Sequence, residues 1–149
     1  MKNSNHKNTV IFGIGNSARQ DDGLGWAFLD ELQKNKKINA EFHYCYQLNI
    51  EDAETVAAAE KVIFADAYAG NDLDEGCKIE KCKTDGEISY TTHALDPQAV
   101  LALSENVYGK KPEAYIIKIK GYKWELKEGI SRSAKRNLSE AVNCIFEIL

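Results

Sequence analysis

Short apolar runs of strand length, each stopped by a polar loop and followed by a stretch with helical periodicity, leave few folds open to this sequence. Residues 9–14 and 62–65 are apolar almost throughout, the pattern of strands buried on both faces. Leu24, Phe28 and Leu32 recur at every fourth position with Ala27 on the same side, which predicts an amphipathic helix over about 23–36. Residues 41–48 alternate Phe42, Tyr44 and Tyr46 with polar or small neighbours as a second strand would. Asn49, followed by Asp52, can cap a short helix through Ala59. Weak alternation over 76–83 suggests an edge strand, and the polar stretch 84–92 a long loop. Asp96-Pro97 then opens a helix to about Asn106, because aspartate caps and proline is preset for the first helical position. Residues 114–119 read as a further strand. Ser131 or Ser133 starts a last helix, buried along Ala134, Leu138, Ala141, Ile145 and Leu149. The order β-α-β-α-β-β-α-β-α predicts an α/β protein of three layers, with a mostly parallel central sheet and helices on both faces.

With 149 residues, 44% of them hydrophobic, the chain suits one domain that buries roughly two-thirds of its unfolded surface. Two prolines and no repeat give no internal boundary. Residues 1–8 are polar and read as a disordered tail ahead of a single domain over 9–149. No apolar run approaches the roughly 20 residues that cross a bilayer, and no signal core follows the N-terminus, so a soluble cytoplasmic protein is expected. Nineteen basic and 23 acidic residues give a net charge of −4, a poor match to a phosphate backbone, which argues against general nucleic-acid binding. Residues 110–136 nevertheless hold nine basic and three acidic residues, either a solvated edge or a face for an acidic partner. Of the four cysteines only Cys77 and Cys82 are close in sequence. A four-cysteine zinc site usually shows two close pairs. Cys45 and Cys144 lie in apolar runs that read as core.

In such folds ligands bind at the carboxyl ends of the strands. Gly13-Ile14-Gly15-Asn16-Ser17-Ala18 fits a dinucleotide loop loosely, yet Asp21 and Asp22 follow where a pyrophosphate needs a positive helix end. The acid expected after the second strand is replaced by Tyr46-Gln47. The acids are better taken as the purpose of the loop. A helix N-terminus favours an ionised carboxylate, although either aspartate could simply cap the helix. Asp66 ends the third apolar run and faces the same sheet edge, and His93 stands just ahead of Asp96-Pro97. Two carboxylates and one imidazole suit borderline divalent ions such as zinc or nickel, with positions left open for water or substrate. That set supports metal-assisted hydrolysis, by polarising a carbonyl or activating a water. His6 in the tail and His43 on the second strand lie away from this edge. No GxSxG elbow occurs, and the cysteines near strands look too buried to be nucleophiles.

The element Gly13-Ile14-Gly15-Asn16, then Asp21-Asp22-Gly23-Leu24-Gly25, then Ala65-Asp66-Ala67, then His93 ahead of a helix, resembles the hydrogenase maturation endopeptidases. These proteases trim the C-terminal extension from the large-subunit precursor of nickel-iron hydrogenases. The resemblance runs from about residue 9 to 149. It implies a phosphorylase/hydrolase-like α/β fold and an aspartic-type endopeptidase in which Asp22, Asp66 and His93 are both the metal ligands and the catalytic residues. The metal would be nickel carried by the precursor, with zinc or cadmium as other divalent occupants, so that cleavage follows nickel insertion. Asn16 and Asp21 would support the site, Asp21 so lightly that its loss costs only a helix cap, about 1 kcal/mol. The precursor is the expected partner and a monomer the expected state. The alternative is a metal-binding maturation partner that does not cut.

Overall fold

A computed structural model of the chain describes residues 8–84 and 95–149. The tail with His6, most of the expected 84–92 loop, and His93 lie outside the described residues. Strand β1 (Thr9–Ile14) is buried along its whole length. It pairs in parallel with β2 (Glu41–Cys45) on one side and β3 (Lys61–Tyr68) on the other. β5 (Glu113–Lys120) continues the sheet in parallel from β3, and β4 (Cys77–Lys81) closes it antiparallel to β5. The order is β2-β1-β3-β5-β4, so the expected mostly parallel sheet with one weak edge strand is present.

Each face of the sheet has its own core. Val10, Phe12, Val62 and Phe64 pack against α2 (Asp52–Ala57) and α3 (Pro97–Tyr108) through Val56, Val100, Leu101 and Leu103. Ile11, Ile63, Ile117 and Ile119 pack against α1 (Leu24–Gln33) and α4 (Arg132–Cys144) through Leu24, Phe28, Leu29, Leu32, Ala134 and Ala141. This is the alternation of a strand buried on both faces, and it makes the three layers. Two of the predicted caps are used: Asp96 accepts a hydrogen bond from Ala99 N–H at 2.8 Å, and Ser131 accepts from Ala134 N–H at 3.3 Å. The expected Asn49 cap is not formed: α2 is preceded by Glu51 with no side-chain cap, although Asp52 accepts from Asn49 N–H at 2.9 Å.

Two further expectations are corrected. β3 does not stop at Asp66 but runs two residues further, because its pairing with β5 continues to Tyr68 opposite Lys120. α4 ends at Cys144 and tightens into a 3-10 turn, Ile145–Glu147, so Leu149 leaves the buried stripe and is 42% exposed. Cys77 and Cys82 are neighbours in sequence only. Five positions apart on an extended segment, they face opposite sides of the sheet, Cys77 in the α1/α4 core and Cys82 in the α2/α3 core. Cys77 instead hydrogen-bonds to Cys144, and burial together with that neighbour pushes its thiol up to about 12.

The glycines of the N-terminal motif let two backbones touch. A Cβ on Gly25 would stand 2.6 Å from Ile14 O and 2.7 Å from Ala65 O, and one on Gly13 would stand 2.6 Å from Gly25 O. Real side chains do not approach backbone this closely, so α1 lies directly on β1 and β3 only because both positions lack a side chain. Gly25→Ala is therefore expected to lower the unfolding free energy by about 1–3 kcal/mol, the usual cost of overpacking, measured by urea denaturation.

Candidate functional site

The chain leaves β1 towards β2 on one side and returns to β3 on the other, which makes the carboxyl ends of β1 and β3 the switch point where the loops diverge. Both predicted acids stand there. Asp66 is paired in register with Ile14, the last residue of β1. Asp22 lies in a 3-10 turn, Gln20–Gly23, that links β1 to α1. They line one cleft of about 370 Å³, together with Gly15, Tyr46, Gln47, Leu48, Leu95, Asp96 and Pro97. Leu95, two positions after His93 in sequence, belongs to its wall.

Backbone geometry aims Asp22. Gly15 has φ +145°, and a Cβ there would fall 2.0 Å from Asp22 O. Its neighbour Asn16 donates its N–H to that carbonyl at 3.1 Å. The Asn16 side chain accepts from Ala18 N–H at 2.9 Å and so shapes the turn, as expected of it. Burial raises the Asp22 carboxyl above its usual range, against the opposing pull of the Arg19 guanidinium. Burial raises Asp66 much further, to about 7, with the Asp22 charge adding to the rise. Two carboxyls raised by burial, one of them also by the charge of the other, share this cleft, and their hard oxygen donors fit a divalent metal. Among the described residues no three His, Cys, Asp or Glu side chains come together as a metal site. Asp22 and Asp66 are the two members of the expected set that the described residues contain.

Asp21 has a different task from the one expected. Neither aspartate caps a helix. Asp21 is fully buried and its carboxylate collects four hydrogen bonds: Tyr122 N–H at 2.7 Å, Lys123 N–H at 3.0 Å, Ser131 N–H at 2.7 Å and Ser131 Oγ–H at 2.8 Å. Burial alone would raise its pKa, but these donors outweigh burial and hold it below the usual carboxylate range. The adjacent acids are thus divided, one tying the fold together and the other open to the cleft. Asp96 lines the same cleft and is spent on capping α3. Cys45, at the end of β2, has its thiol pushed up to about 11 by burial and by the Asp52 and Asp66 charges. A thiolate nucleophile is disfavoured there.

Sequence reasoning passed over Tyr46 and Leu95 as cleft walls. Tyr46 is 70% exposed and lies tilted against Trp26 with ring centroids 5.3 Å apart, and the Trp26 indole N–H donates to Cys45 O at 3.0 Å. An exposed aromatic directly after a strand was the available signal.

The likeness to solved structures supports a hydrolase of the protease class. The chain is similar to the NiFe-hydrogenase maturation protease HycI from Thermococcus kodakarensis KOD1, with 26% identity, a TM-score of 0.72, and coverage of 98% of this chain and 94% of that one. It is also similar to the hydrogenase maturating endopeptidase HybD from E. coli (15% identity, TM-score 0.69, coverage 94% and 90%). A third is the hydrogenase 2 maturation peptidase from Thaumarchaeota archaeon SCGC_AB-539-E09 (19% identity, TM-score 0.67, coverage 95% and 97%). The resemblance carried by the glycine-aspartate motif therefore extends to the whole three-dimensional fold. No protein-family model matches the chain, and no curated protein matches it. Among the described residues no helix is long and apolar enough to cross a membrane.

Proposed function

We propose that the protein is an endopeptidase that removes the C-terminal extension of a nickel-iron hydrogenase large-subunit precursor after nickel insertion, with Asp22, Asp66 and His93 engaging the nickel that the precursor carries. The observation that supports this reading most is the convergence of Asp22 and Asp66 on one cleft at the switch point, on a fold shared with proteins named as hydrogenase maturation proteases. A divalent ion held there supplies a Lewis acid that polarises the scissile carbonyl or a bound water. Asp22 and Asp66 orient the cation-bearing segment, and the loops after β1 and β2 confine it. Asp66, with its pKa near 7, can hold a proton at the cleft and release it when positive charge arrives.

Incubation of the purified protein with a nickel-loaded precursor, read by intact mass, tests the proposal. The wild type is expected to release one discrete C-terminal peptide. Asp22→Ala and His93→Ala are each expected to reduce that rate at least a hundredfold while the protein remains folded by circular dichroism. Normal cleavage by either variant removes that residue from the site. A stable complex with no change in mass would instead favour a binding partner that does not cut.

A further inference from the structure

The segment from Gly121 to Ile130 has no regular secondary structure, yet its backbone is held at many points by the turn that carries the site acid. Besides the Asp21 bonds to Tyr122 and Lys123, Gln20 N–H donates to Lys127 O at 2.8 Å, and Asp21 N–H donates to Lys123 O at 3.0 Å. Glu125 N–H donates to Gln20 Oε1 at 3.0 Å, and Arg19 donates to Trp124 O at 3.3 Å. Gln20 adopts a positive φ of 49° within this turn, a conformation that an L residue keeps only when its surroundings enforce it. A loop fixed this firmly nevertheless presents Leu126 at 81% exposure, above every other exposed large hydrophobic residue described, and Tyr122 of the same loop at 46%.

Folding gains nothing from holding a leucine out in water, whereas binding gains from a side chain already in place, because the ordering cost is met before the partner arrives. Neither Leu126 nor Tyr122 lines the Asp22/Asp66 cleft, so whatever they touch lies outside the cut segment. Within the loop Lys123 and Lys127 are balanced by Glu125 and Glu128. The surplus comes from its flanks: half-buried Lys120, whose ammonium lies 5.8 Å from the Tyr122 ring, and the exposed Arg132, Lys135 and Arg136 at the start of α4. The surface is an apolar tip with a basic flank.

We propose that the 122–127 loop is a preordered docking element for the folded body of the precursor, with Leu126 entering an apolar recess that has an acidic rim. This rests on the precursor-processing reading above. Time courses of precursor cleavage, followed by intact mass, give kcat and KM for wild type, Leu126→Asp and Leu126→Ala. A dissociation constant for the same precursor is measured for each. Leu126→Asp is expected to raise KM and the dissociation constant at least tenfold with kcat within twofold, and Leu126→Ala to do so less. Because the side chain is mostly in water, both variants keep the wild-type melting temperature within about 2 °C. Unchanged KM and unchanged affinity overturn the proposal, as does a fall in kcat with KM unaltered. Wild type that binds without cutting sinks the endopeptidase reading, while the affinity of Leu126→Asp still decides the docking element. Wild type that neither binds nor cuts overturns both.

Discussion

Asp66→Asn is expected to give a protein that is more stable than wild type at neutral pH and no longer trims the precursor. The Asp66 carboxyl rises from its ordinary 3.8 to about 7 on folding, chiefly through burial. Below about pH 4 it is protonated in both the folded and the unfolded chain and costs nothing. Between about pH 4 and pH 7 the unfolded chain ionises this group while the folded chain keeps its proton, so stability falls across that window and levels off above it. A shift of this size corresponds to on the order of 2–4 kcal/mol at pH 8 without bound metal. Asparagine removes that cost and fills the same volume. Urea unfolding of both proteins at pH 4.5 and pH 8 checks this: the variant's advantage should be small at the lower pH and several times larger at the higher. A variant no more stable at pH 8 would mean that Asp66 is not a strained carboxylate, and with it the electrostatic case for a cation in the cleft would fail. The gain in stability paired with loss of processing is the pattern of a residue kept for function against the interest of the fold.

Asp21→Ala is expected to do the opposite. It removes the acceptor for four donors that reach a fully buried position, and leaves the Tyr122, Lys123 and Ser131 N–H groups without a partner. Losses of this kind are on the order of 3–5 kcal/mol, well above the cost of a helix cap. Because the Asp21 pKa is held below its ordinary value, its contribution is present at neutral pH and lost as pH falls through the folded pKa. Wild type and Asp21→Ala should thus differ most at pH 6–8 and converge in acid, measured by thermal unfolding across that range. A difference near 1 kcal/mol at pH 7 would return Asp21 to the minor role that the sequence suggested.

The contrast between these neighbours marks where the sequence can be read and where it cannot. Elements whose signals are local were legible. The apolar runs of β1 and β3, the four-residue spacing of Leu24, Phe28 and Leu32, and the caps at Asp96 and Ser131 all rest on contacts within a few residues. So did the cleft acids, because a strand that ends in polar residues at the switch point needs only the strand order to be located. What escaped depends on distant partners. Asp21 is bonded to residues more than a hundred positions away, and a capping rule sees only the next turn. Asn137 looks like a polar interruption of the α4 stripe, yet it is buried and donates to Lys120 O at 2.9 Å and to Tyr122 Oη at 3.1 Å. Cys77 was grouped with Cys82 by proximity in sequence, whereas the sheet separates them and brings Cys144 instead.

The place of β1 and β3 in the middle of the sheet also governs how the cleft is lost. Opening in native proteins begins at edges, where few apolar contacts must be broken, and reaches central strands only as the whole domain unfolds. β2 and β4 are the edges here, and both show only partial burial along their lengths. Fraying of either one leaves the Ile14 and Asp66 pairing untouched, so Asp66 keeps its place until the centre of the sheet opens. Asp22 is carried instead by the 3-10 turn, so its place beside Asp66 depends on the hydrogen bonds that tie Gln20 and Asp21 to residues 122–131.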